Sequence, residues 1–156
     1  MRENRKEKIV LYDDISNKIV ARQNGEKINT VKLNDEIVKS IKKATLNSII
    51  FMHVHPTNTS FSKADIANLI NYKSIRALTV ECISGKKYIL QKGKKKIGVW
   101  ERLSFDDKYD SIYNKIARQY PELDSTETRY AVWDTFMDHV VREVADYYGL
   151  IYAEVK

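Results

Sequence analysis

Two histidines one residue apart, His53 and His55, close the apolar run Ser48-Ile49-Ile50-Phe51-Met52, and Pro56 follows them. Residues i and i+2 of a strand point to the same face, so both imidazoles reach one side of whatever sheet carries them. That arrangement is half of a divalent-metal site. Asp65, in the pattern Ser62-Lys63-Ala64-Asp65, lies where a helix-like segment opens and offers a carboxylate as third ligand. Two imidazoles and one carboxylate leave a position for water, and zinc hydrolases commonly use three protein ligands in this way. Ser-x-x-Asp is also the pattern of a helix capping box, in which serine and acid satisfy free N–H groups reciprocally. The two roles are compatible for Ser62.

These residues need elements to hold them. Lys8 to Tyr12 and Lys18 to Arg22 read as strands of a hairpin, and Asn24-Gly25 as a turn. Lys27 to Leu33 reads as a third strand. Asn34 is an N-cap for a helix reaching Ala44, with Ile37, Ile41 and Ala44 at helical spacing. Ile49 to His53 is a buried strand, and Ser62 caps a second helix carrying Ile66, Leu69 and Ile70. Ala77 to Ile83 and Tyr88 to Gln91 are strands on either side of the turn Ser84-Gly85-Lys86.

Beyond the lysine run the character changes. A helix starts at Ser104 or Phe105, bears Tyr109, Ile112, Tyr113 and Ile116 on one stripe, and ends before Pro121. A longer one starts at Ser125 or Thr126, and Gly149 stops it. Leu150 to Val155 reads as a last strand. Helices interspersed among strands predict an α/β domain, a mixed β-sheet flanked by helices. The expected organisation is a metal-binding core over residues 1–100 and a C-terminal helical extension over 101–156 that packs on it as one compact unit.

His53-Val54-His55-Pro56, the polar loop Thr57 to Phe61, and Ser62-Lys63-Ala64-Asp65 together resemble the core of the JAMM/MPN+ metalloprotease family. Phe61 before the serine and Ile66 after the aspartate are similar to the JAMM-like domains of phage head-morphogenesis and polymorphic-toxin proteins. The resemblance runs from about Lys8 to Leu90, and it implies a deaminase-like sheet with the metal at the end of the histidine strand. It further implies that His53, His55 and Asp65 hold zinc, that Ser62 stabilises an oxyanion, and that an upstream glutamate serves as general base in cleaving an amide or isopeptide bond. The loop Pro56 to Phe61 holds six residues, where the family commonly has seven. Lys18 to Arg22 carries no acid, so Glu26, just after Asn24-Gly25, is the expected base, ahead of Glu36 on the predicted helix.

Composition bounds the alternatives. A chain of 156 residues with 43% hydrophobic content can bury a real core. One cysteine, Cys82, excludes an intramolecular disulfide and a cysteine-rich zinc ribbon, and fits a cytoplasmic setting. The charged N-terminus is neither signal peptide nor membrane span. Nucleobase deaminases need His-x-Glu with Pro-Cys-x-x-Cys, thermolysin-like proteases need His-Glu-x-x-His, and both are absent. Barrels with His-x-His at a strand end need about 250 residues.

The leading expectation is a zinc metallopeptidase acting on a protein or peptide. A catalytically inactive binding or inhibitor module of the same type is the first alternative, with the C-terminal helices as a protein-contact surface. A basic nucleic-acid-associated protein is the second: net charge is +6, with a run at Lys92-Gly93-Lys94-Lys95-Lys96. His139 reads as a core-edge residue, Cys82 as a small core residue, and the tyrosine and tryptophan stripe that includes Trp133 as packing.

Overall fold

The computed structural model describes residues 6–25 and 32–156. Strands β1 (Lys8–Asp13) and β2 (Lys18–Asn24) form a hairpin. Helix α1 (Asp35–Lys43) follows, then β3 (Ile49–His55), α2 (Lys63–Asn71), β4 (Ile75–Cys82) and β5 (Lys87–Lys92). The chain continues through α3 (Val99–Leu103), α4 (Phe105–Ala117), a single 3-10 turn at Pro121–Asp124, α5 (Thr126–Tyr148) and β6 (Leu150–Val155). The six strands form one mixed sheet in the order β2-β1-β3-β4-β5-β6. Only β3 and β4 run parallel, joined through α2 as a β-α-β unit; the other neighbours are antiparallel. The expected class, a mixed α/β sheet flanked by helices, is what the chain adopts.

Local chemistry explains the elements that bear on the site. Asn34 caps α1 by accepting from the backbone N–H of Ile37, and Ile37 and Ile41 bury one face of that helix. Strand β3 alternates, with Ile49, Phe51, His53 and His55 buried and Ile50, Met52 and Val54 half-buried between them. Period-two burial therefore sends both histidines to the face that also buries Phe51. The strand extends two residues past the expected end at His53, because its ladder with β4 continues to the pair His55–Cys82.

The C-terminal part adds a strand as well as helices. β6 pairs antiparallel with β5, and α5 buries Phe136, Val140, Val141, Val144 and Tyr148 in the common core. Gly149 makes the turn between them at φ 65°, a conformation a β-carbon disfavours. The short helix α3 falls between the lysine run and the expected helix start at Ser104 or Phe105, where the sequence reading places no element. The expected strand Lys27 to Leu33 lies largely outside the described residues; Lys32 and Leu33 themselves are not in a strand. Among the described residues no helix is long and apolar enough to cross a membrane.

Candidate metal centre

His53 and His55 project from the carboxyl end of β3, and Asp65 from the first turn of α2. Each offers one ligand atom, and these atoms lie within 4.8 Å of one another. The Nε2 atoms of the two imidazoles face each other, with ring centroids 4.2 Å apart. The Asp65 carboxylate presents Oδ1 to His53 Nδ1 and Oδ2 to His55 Nε2, each at 3.7 Å. All three residues are buried. His53, His55 and Asp65 thus form a group that could hold a metal ion, the three ligands expected from the spacing.

The surroundings suit a cation. Nδ1 of His53 is buried with no hydrogen-bond partner, and a buried polar nitrogen left so is costly unless something else satisfies it. Burial, opposed in part by the Asp65 charge and reinforced by the neighbouring His55, lowers the pKa of His53 to about 4. The imidazole is therefore neutral at physiological pH, the form that donates a lone pair to a metal. His55 is fixed differently: its Nδ1 lies 2.8 Å from the carbonyl oxygen of Thr59, so Nδ1 donates there and leaves Nε2 facing the space between His53 and Asp65.

Ser62 performs the capping role in full. Its N–H donates to Asp65 Oδ2 at 2.7 Å, its hydroxyl donates to the same oxygen at 2.8 Å, and the Asp65 N–H lies 3.2 Å from Ser62 Oγ. The capping box and the metal group share one carboxylate, so the residue that starts α2 also orients a ligand. The loop before it is held from the C-terminal side. The edge of Phe61 meets Tyr152 of β6, and the Tyr152 hydroxyl donates to Asp138 of α5 at 2.8 Å.

A cleft of about 710 Å³ opens over the group, lined by His53, His55, Ser62 and Asp65 together with Glu7, Leu33 and Trp133. No family model, curated protein or solved structure matches the chain. The site is accordingly read from its own geometry.

Glu26 lies outside the described residues. Glu36 is exposed in the first turn of α1 and does not line the cleft. Among the described residues, the carboxylate that lines it besides Asp65 is Glu7, which the sequence did not single out. Ile9 of β1 pairs with His53 of β3, and opposed residues of an antiparallel pair share a face. Glu7, two residues back and just before β1, lines the same cleft as His55. The signal was the alternation Glu7-Ile9-Leu11, which becomes meaningful only once β1 is known to neighbour β3. His139 lies apart from this group, 3.3 Å from the Tyr120 hydroxyl and 4.0 Å from Glu143. Cys82 is buried, its thiol pushed up to about 11 chiefly by burial, and it contacts the Thr59 carbonyl at 3.4 Å. That thiol is a packing group and no nucleophile at neutral pH.

Proposed function

We propose that this chain is a zinc-dependent hydrolase of amide bonds, a metallopeptidase or isopeptidase of the JAMM type. The observation that carries the reading is the buried His53-His55-Asp65 group at the floor of a cleft that also contains Glu7. Two imidazole nitrogens and one carboxylate are a donor set suited to zinc, and the partnerless Nδ1 of His53 fits a site shaped for a cation. Zinc held there would polarise a substrate carbonyl and ease deprotonation of water.

The protein's own residues have distinct duties in this reading. His53 stays neutral through burial, and His55 is held in one tautomer by the Thr59 carbonyl. Asp65 is oriented by the Ser62 hydroxyl and amide. Glu7 takes the proton of the attacking water and returns it to the leaving amine, the work of a general acid–base carboxylate. The Ser62 hydroxyl, when turned from Asp65 toward substrate, donates to the developing oxyanion. Glu7 is given the role of base in this reading because, among the described residues, it is the acid besides Asp65 that lines the cleft; Glu26 lies outside them.

Elemental mass spectrometry of purified protein tests the metal, with His53→Ala and His55→Ala as controls. About one zinc per chain, lost in both controls, is the expected result; no metal even after zinc loading overturns the reading. Zinc retained without hydrolysis of any peptide or isopeptide would leave a binding module. Affinity for DNA or RNA that falls steeply with salt, on a metal-free chain, would instead favour a nucleic-acid role.

A further inference from the structure

The cleft extends beyond its metal ligands, and one part of that extension is apolar. Ile9 and Phe51 are buried within it, at 3% and 1% exposure, while Leu33 and Trp133 remain half-buried. Leu33 comes from the approach to α1, and Trp133 from the second turn of α5. Both pack against the edge of the core and also line the cleft. Further along α5, Phe136 and Val140 are fully buried, and one turn before Trp133 the ring of Tyr130 is 83% exposed. Trp133 sits at the transition, leaning on Phe136 at 5.6 Å between ring centroids and lining the cleft.

We infer that the cleft takes an extended polypeptide whose bulky apolar side chain, Leu- or Phe-like, seats against Trp133 and Leu33 beside the amide that is cut. This rests on the hydrolase reading and names its substrate class. The size argues for it: a cleft of about 710 Å³ holds more than one amino-acid residue, within the range of sites that engulf most of a ligand. The chemistry argues for it as well. A half-exposed indole gives a large rigid apolar contact with little entropy to lose, whereas a charged side chain there would shed water against hydrocarbon without recovering hydrogen bonds. Among the described residues, the charged ones that line the cleft away from the metal ligands are Glu7, just before β1, and Lys32, next to Leu33 in the approach to α1; no charged residue of α5 lines it.

The chain has two tryptophans, so Trp100→Phe leaves Trp133 as sole reporter, and Trp100 is 81% exposed and outside the cleft. The probes are short blocked peptides differing at one central residue: Leu, Phe, Gly or Asp. With zinc-loaded protein, kcat/KM for Leu and Phe should exceed that for Gly and Asp by about tenfold or more. Trp133→Ala should erase the difference while the zinc content stays unchanged; Leu33→Ser, a milder change at a half-exposed position, should reduce it should Trp133→Ala misfold. Equal rates for all four peptides, or a preference that survives both substitutions, overturn the inference and leave the hydrolase intact. Absence of all cleavage counts against the hydrolase reading separately. Fluorescence then decides: a saturable change in Trp133 emission with Leu and Phe peptides only supports the apolar seat, and no change with any peptide overturns it.

Discussion

Ile9 of β1 and His53 of β3 stand opposite each other in an antiparallel ladder, and that pairing brings Glu7, just before β1, to the cleft that His55 lines. A carboxylate distant from the histidines in sequence thereby joins their cleft. If Glu7 is the base, Glu7→Gln lowers kcat by about 10²–10⁴-fold with zinc content unchanged. Glu26→Gln in parallel should leave kcat near wild type. The reverse pattern would return the role to Glu26.

Ser62 links helix initiation to the carboxylate of the candidate metal group. Ser62→Ala deletes two hydrogen bonds to Asp65, one as donor and one as acceptor, while the Ser62 backbone N–H still reaches Oδ2. The metal-free protein should lose about 1 kcal/mol in urea denaturation. Zinc affinity, measured by competition with a chromophoric chelator, should weaken by about 10–100-fold because an outer support of a ligand is gone. Unchanged zinc affinity would confine Ser62 to capping.

Lys92 supplies a pH dependence remote from the metal. Its Nζ donates to the Tyr72 carbonyl at 2.8 Å, and burial, aided by the nearby Arg102 charge, lowers its pKa to about 8 from 10.5. Between pH 8 and 10.5 the unfolded chain binds more protons at this group than the folded one, so its contribution to stability rises with pH across that window. Below pH 8 the charged amine keeps its full burial penalty. Cys82, Tyr109 and Tyr152 titrate in the opposite sense at the alkaline end, since burial raises them. The measurable quantity is therefore the difference between wild type and Lys92→Met in chemical denaturation at pH 7 and pH 9.5. Wild type should gain about 1 kcal/mol relative to the variant, a figure reduced by solvent screening at a partly exposed amine. No relative gain would mean that water reaches the amine freely.

Phe136 tests whether α5 is part of the core. It is fully buried, with Tyr113, Tyr120 and Trp133 ring centroids at 5.0, 5.4 and 5.6 Å. Phe136→Ala should cost about 3–5 kcal/mol by opening a cavity among rings that cannot collapse together. A cost below about 1 kcal/mol would describe a helix only loosely docked.

Much of this was legible locally. Asn34 and Ser62 marked two helix starts through side-chain oxygens that reach their own next turn, and Gly149 marked a stop through its left-handed backbone. Period-two spacing placed His53 and His55 on one face, and Ser62-x-x-Asp65 placed the third candidate residue in the first turn of α2. Each of these interactions spans only a few residues, so the sequence displays both partners at once.

The sequence by itself determined the candidate metal-binding residues, the caps and the alternation of strands with helices, because those follow from side-chain type and short-range geometry. Only the tertiary structure decided that β1 lies beside β3, that β6 closes the sheet against β5, and that Glu7 and Trp133 share a cleft with His53. Strand neighbours are selected by burial of whole faces, summed over residues far apart along the chain. No single position carries that sum, so a glutamate just before the first strand and a tryptophan on the last helix reveal their shared site only when the sheet has formed.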